Sequence, residues 1–279
     1  MAADPEVEPA ALVSVAVHKW RGGEVLSGTD IVAEEVPVAL VYNGISHVVM
    51  MASPGDLDDF ALGFSLTEGI LHSPAELFDC ELVQRDDGIE VQLQIASERF
   101  LALKDKRRNL TGRTGCGLCG AETLQQAIRT PAPVHSDATF SAAQLRAGMA
   151  AMQSRQVLQQ QTGATHAAAF MHHSGQLGPV REDVGRHNAL DKLIGALARD
   201  GVDLSGGAVL VTSRASYEMV QKTASMGVGL LAAISAPTSL AIRMAERAQL
   251  TLVGFMRERA HVVYTHAHRV LHDRAEEFP

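Results

Sequence analysis

Residues 208–256 read AVLVTSRASYEMVQKTASMGVGLLAAISAPTSLAIRMAERAQLTLVGFM, and their pattern decides the fold class. Three apolar runs, at 208–212, 230–235 and 251–256, alternate with helical spacing over 217–226 and 238–249. Apolar runs this short, bounded by turn residues, read as buried strands, and strands alternating with helices build an α/β layer on a parallel or mixed sheet. No residue between Lys222 and Arg243 is charged, which raises the question of a membrane span. Gly227, Gly229, Ser235, Pro237, Thr238 and Ser239 break that run with turn chemistry, so a buried strand followed by a helix start fits it better.

Working outward, 165–171 with a return after Gly175 forms a hairpin, 184–199 a helix and 262–266 a last strand. Ser141 opens a helix running to about residue 160. Pro131, Pro133, Ser136 and Asp137 mark the stretch before it as a linker, which places a domain boundary there. The expected organisation is a tail over 1–12, an N-terminal α+β domain over 13–135 and a second domain over 136–279. In the first half, 13–20, 31–41 and 46–51 read as strands of a meander with a turn at Gly44. Ser53, Pro54, Gly55 and Asp56 then cap a helix carrying Leu57, Phe60, Ala61, Phe64 and Leu66. Residues 81–84 and 90–95 flank Asp86-Asp87-Gly88, whose Asp-Gly pair suits a tight hairpin.

The chain has 279 residues, 46% of them hydrophobic and 20% charged, which argues for a packed interior and against disorder. A net charge of -8 makes sequence-independent binding to nucleic acid or an anionic membrane unlike this surface. The acidic start MAADPEVEPA lacks the basic and apolar parts of a signal peptide, so a cytoplasmic location is expected.

Two of the three cysteines lie in Arg113-Thr114-Gly115-Cys116-Gly117-Leu118-Cys119-Gly120. The flanking glycines let the loop's backbone approach a partner closely. Lys104, Lys106, Arg107, Arg108 and Arg113 lead into it, and positive charge favours thiolate over thiol. Spacing at Thr123, Leu124, Ala127 and Ile128 suits a helix, whose start would lower the Cys119 pKa further. Such a pair can cycle as a dithiol and disulfide, ligate zinc or carry sulfane sulfur. Structural zinc needs four ligands, and Cys80, the only other cysteine, sits between Phe78 and Leu82. A zinc deaminase would show H-x-E and P-C-x-x-C, but Gly115 stands in place of the proline and no His is followed at the second position by Glu. Redox exchange stays open on spacing alone.

Two further groups of residues suit anions. Arg181, Glu182, Asp183, Arg186, His187, Asn188, Asp191 and Lys192 crowd the start of a helix, whose amides favour phosphate. Ser213-Arg214-Ala215-Ser216, Ser235-Ala236-Pro237-Thr238-Ser239 and Phe255-Met256-Arg257-Glu258-Arg259-Ala260 follow successive strands, and strand carboxyl ends are where open α/β sheets bind ligands. No P-loop and no G-x-G-x-x-G after a strand is found.

These motifs, in order, resemble the formate dehydrogenase accessory sulfurtransferase (FdhD) family. The matching stretches include EEVPVALVYNGISHVVMMASPGDL, FALGFSLTEGI, GRTGCGLCGAE, TGATHAAAF, EDVGRHNALDK, SRASYEMVQK and LTLVGF, from about residue 34 to 266. Much of that family has Ser-Gly-Arg where this chain has Thr212-Ser213-Arg214. The resemblance implies an α/β protein, α+β overall, with a cytidine-deaminase-like C-terminal domain lacking zinc chemistry and a smaller mixed α/β N-terminal domain. It implies a cytosolic bacterial homodimer, a sulfurtransferase that takes sulfur from a cysteine desulfurase. Cys116 would hold that sulfur as a persulfide with Cys119 as partner. The acceptor would be the molybdenum bis(molybdopterin guanine dinucleotide) cofactor, bound as a client by Phe255, Met256, Arg257, Glu258, Arg259 and Ala260 before insertion into formate dehydrogenase. A non-catalytic cofactor chaperone and a thiol/disulfide redox protein are the alternatives.

Overall fold

The computed structural model describes residues 10–108 and 131–272. Residues 1–9 of the tail expected over 1–12, both motif cysteines and the helix expected after them lie outside the described residues, and β1 already begins at Leu12. The chain opens with an antiparallel hairpin of β1 (Leu12–Arg21) and β2 (Glu24–Ala33). Gly22 and Gly23 join them at φ 61° and 96°, the left-handed pair that a two-residue turn needs. The continuous strand expected over 31–41 is therefore two, because β3 (Val36–Tyr42) starts a new sheet after β2 ends.

That sheet runs β4-β3-β6-β5, with β4 Ile45–Ala52, β5 Leu77–Arg85 and β6 Gly88–Ile95. Asn43 and Gly44, both at positive φ, turn β3 into β4. The β5–β6 turn differs from the expectation. Arg85 pairs with Gly88, so Asp86 and Asp87 form the loop and neither takes positive φ. Gly88 is needed for another reason: a Cβ there would overlap the Pro37 carbonyl oxygen on β3. Helix α1 (Leu57–Thr67) covers the inward face, where Val38, Leu40, Tyr42, Val91 and Leu93 are fully buried with Phe60. Helix α2 (Ser97–Arg108) closes this unit through Leu103.

The second unit has three layers. Its sheet runs β13-β12-β11-β10-β8-β9, with β8 His166–His172, β9 Leu177–Asp183, β10 Gly207–Val211, β11 Leu230–Ala233, β12 Thr251–Gly254 and β13 Val262–Val263. Strands β10, β11 and β12 are parallel, as their alternation with helices requires, and the flanking pairs are antiparallel. Helices α5 (Arg186–Arg199), α6 (Tyr217–Ser225) and α7 (Ser239–Arg247) pack on one face, and α3 (Ala142–Ser154) on the other. The single helix expected from Ser141 is two, α3 and α4 (Val157–Thr162). Ser141 caps α3 as expected, its hydroxyl accepting from the Gln144 amide at 3.0 Å. A short parallel bridge of β7 (Phe140–Ser141) and β14 (Val270–Leu271) completes the described elements.

The two units meet along α1 and α5. Gly63 and Gly195 set the contact distance, because a Cβ on Gly63 would overlap the Asp191 carbonyl oxygen and one on Gly195 the Asp59 carbonyl oxygen. Among the described residues no helix is long and apolar enough to cross a membrane; the uncharged run after Lys222 is the end of α6, strand β11 and the start of α7.

Candidate functional site

The carboxyl ends of β10, β11 and β12 lie side by side, and backbone bonds lock their loops together. Ala215 and Pro237 form a parallel bridge, the Thr238 amide donates to the Ala215 carbonyl at 3.1 Å, and the Phe255 amide to the Ser235 carbonyl at 3.2 Å. Gly254 lets β12 approach the middle loop, where a Cβ would stand 2.9 Å from Pro237 Cδ. The chain then reverses at Phe255, φ 52°, and the Arg257 amide closes a turn on the Ala260 carbonyl at 2.9 Å. Of the six residues expected to bind the cofactor, Phe255, Arg257, Glu258, Arg259 and Ala260 are exposed and Met256 is fully buried in the core beneath them. Met256 anchors the loop and presents no surface. Arg214 is also exposed, and among the described residues no ion pair engages Arg214, Arg257 or Arg259. Three uncompensated guanidiniums on a chain of net charge -8 make this face a local attractor for anions.

Helices α5 and α6 begin at the edge of the same face, and neither N-terminus is capped by a side chain. His187 Nε2 on α5 lies 2.8 Å from Glu218 Oε2 on α6 and 3.4 Å from the hydroxyl of Ser216. The hydrogen bond from His187 holds the Glu218 carboxyl below its ordinary range, against the opposing effect of burial. His166 is depressed by burial and then by the nearby charges of Arg186 and His187. The Arg186 Nε is buried with no hydrogen-bond partner among the described residues.

The rest of the charged run at the start of α5 does something else. Asp183, fully buried, accepts from the Ser53 amide at 3.0 Å and pairs with Lys192 at 2.7 Å. Asp191 accepts from Lys222 at 2.9 Å and from the Thr67 hydroxyl at 2.8 Å; Lys222 also reaches Glu68 at 3.2 Å. Burial alone would lower the Lys222 pKa, but the carboxylates of Asp191 and Glu68 outweigh it and raise it. Arg181 donates to Asp59 at 2.8 Å, and Arg199 pairs with Asp58 and Asp59. Asn188 donates to the Met51 carbonyl at 2.8 Å. Apart from Lys192 on α5 and Lys222 on α6, these partners lie on β4, on α1 or in the turns beside them, so the run chiefly fastens the two units together. Its end facing the strand loops is Arg186 and His187.

Cys80, on β5, is half-buried, and burial together with Asp58 and Asp79 pushes its thiol up to about 12. It is a poor nucleophile at neutral pH. Of the basic run, Lys104 lies over the Phe100 ring at 4.5 Å on α2, which leads to the motif. Beyond residue 130, Pro131 lines a cavity of about 490 Å³ with Leu66, Leu71, His72, Gln221 and Met226. That cavity meets the far end of α6, about 13 Å of helix away from the strand loops. Among the described residues no cluster of three or more His, Cys, Asp or Glu is placed to hold a metal ion.

Fold and site together define an α/β protein with an anion-attracting strand-end face, joined through a charged seam to a unit that leads into a cysteine pair. The chain belongs to the FdhD/NarQ family, whose model matches residues 33–271. It is 61% identical over 272 residues, 98% of this chain and 94% of the relative, to a protein of Cupriavidus necator named sulfur carrier protein FdhD. A protein of Bordetella petrii with the same name is 54% identical over 257 residues, 91% of this chain and 92% of that one. The fold matches, with a TM-score of 0.73 and 23% identity, the crystal structure of a protein from Desulfotalea psychrophila proposed to be a formate dehydrogenase accessory protein, covering 94% of this chain and 100% of that one.

Proposed function

We propose that this chain is a cytoplasmic sulfur carrier that serves formate dehydrogenase as a homodimer. The observation that carries the reading is 61% identity, over 98% of the chain, to a relative named for sulfur carriage. The chemistry of the cysteines supports it: Cys80 is held as a thiol, which leaves Cys116 and Cys119 for nucleophilic work.

In this reading the Cys116 thiolate attacks the outer sulfur of a cysteine desulfurase persulfide. The sulfur–sulfur bond of the donor breaks, its cysteine leaves as thiolate, and the outer sulfur stays on Cys116 as a new persulfide, with no net oxidant needed. Delivery at the sulfide level takes two electrons, and Cys119 supplies them by attacking the inner sulfur, so that a Cys116–Cys119 disulfide forms as sulfide departs toward the acceptor. The acceptor is molybdenum bis(molybdopterin guanine dinucleotide), a client and not a resident group. Arg214, Arg257 and Arg259 match its pyrophosphates, and the exposed Phe255 ring offers a surface for a base.

The test is mass spectrometry of the intact chain after incubation with a cysteine desulfurase and cysteine. Addition of one sulfur atom, mapped to the peptide bearing Cys116 and lost in Cys116→Ala, is expected. An unmodified chain that still binds the cofactor would make it a chaperone and overturn the reading.

A further inference from the structure

Among the described residues, the β1–β2 hairpin is held only lightly by the rest of its own protomer. Nine of the ten residues of β2 are exposed, and β1 and β2 make a two-stranded sheet of their own, packed, among the described residues, mainly against α4. Such a ribbon is marginal in water without a further layer, and both of its long edges carry unpaired peptide groups. Yet it is apolar. Trp20 is 73% exposed, Val25 opposite it 64%, Leu26 54% and Ile31 46%.

The charge of the ribbon says what covers it. Lys19 and Arg21 balance Glu24 and Asp30, and Lys19 pairs with Asp30 at 3.1 Å, so the hairpin is neutral on a chain of net charge -8. Two copies of an acidic chain repel over most of their surfaces, and this is a face on which they do not. The ribbon offers a charged partner no net charge to pair with. The exposed side chains offer several hundred Å² per protomer, so two copies covering each other approach the roughly 1,200 Å² at which stable interfaces begin. We propose that the β1–β2 ribbon is the surface on which a second copy of this chain docks, through an isologous contact centred on Trp20, Val25 and Ile31, which the strand register places on one face of the ribbon. This rests on the homodimer reading above and names its surface.

Trp20 is the chain's single tryptophan, so the contact reports itself. Emission and iodide quenching of the full chain are followed from nanomolar to tens of micromolar, beside sedimentation equilibrium on the same samples. Dimer mass appearing together with a blue shift and loss of quenching is expected. Trp20→Asp combined with Ile31→Lys, with folding checked by circular dichroism, should weaken association by about tenfold or more. A wild-type chain that stays monomeric overturns the dimer reading itself. A dimer whose Trp20 stays quenchable, or that persists undiminished in the double variant, overturns the ribbon as its surface and leaves the dimer standing.

Discussion

The seam between α1 and α5 and the loops beyond β10, β11 and β12 draw on the same charged residue types and use them oppositely. In the seam, Lys222 and Asp191 have side chains 7% and 1% exposed, and each is satisfied by several partners. At the strand ends, Arg214, Arg257 and Arg259 stand in solvent without counterions among the described residues. A buried charge must be paired or the fold loses stability; an exposed one can wait for a ligand at little cost. Pairing within the chain is thus the physical criterion that separates architecture from binding surface here.

The comparison breaks first at Lys222. Lys222→Ala strands the Asp191 carboxylate in the seam and should cost about 4 kcal/mol in urea denaturation; a loss below about 1 kcal/mol would mean the seam charges are as dispensable as surface ones. The pH dependence has a definite sign. Lys222 has its pKa raised on folding, so its contribution is complete below the ordinary value of 10.5 and is lost only as pH rises through the higher folded value. Stability should therefore show no loss from this group between neutral and mildly alkaline pH. Gly195→Ala, which pushes a Cβ into the Asp59 carbonyl, should cost about 2 kcal/mol by the same measurement.

The strand-end arginines should behave in the opposite sense. Arg257→Ala and Arg259→Ala are expected to change stability by no more than about 0.5 kcal/mol, while weakening calorimetric binding of guanosine diphosphate, a fragment of the proposed client, by about tenfold each. Unchanged affinity in both would remove the binding role from this face. The smallest effect is a null one: in the folded chain at pH 8, iodoacetamide should leave Cys80 unmodified while Cys116 and Cys119 react, and urea should expose Cys80 to alkylation.

Much of the second unit was legible because its strands are short apolar runs and its helices keep their period, both local signals. Gly22-Gly23 is a hairpin signal of the same kind, masked by the short gap between the end of β2 and the start of β3. The Asp87-Gly88 pair misleads for a reason no local rule holds: Gly88 is small because Pro37, on a neighbouring strand, lies against it. The charged run of α5 failed likewise. Asp183 meets Ser53 and Asp191 meets Thr67 across more than a hundred residues, and a dense charged motif looks identical whether its partners are ligands or distant parts of its own chain. Loop 255–260 stands out both by its place after a strand and by resemblance, and the structure adds that Met256 faces inward.

The central claim is that sulfur travels on Cys116, and it is tested most directly in cells whose own carrier gene is deleted. Formate dehydrogenase activity should return with the wild-type chain and with Cys80→Ala, and stay at background with a folded, equally abundant Cys116→Ala. Full activity in cells that carry only Cys116→Ala would contradict the account.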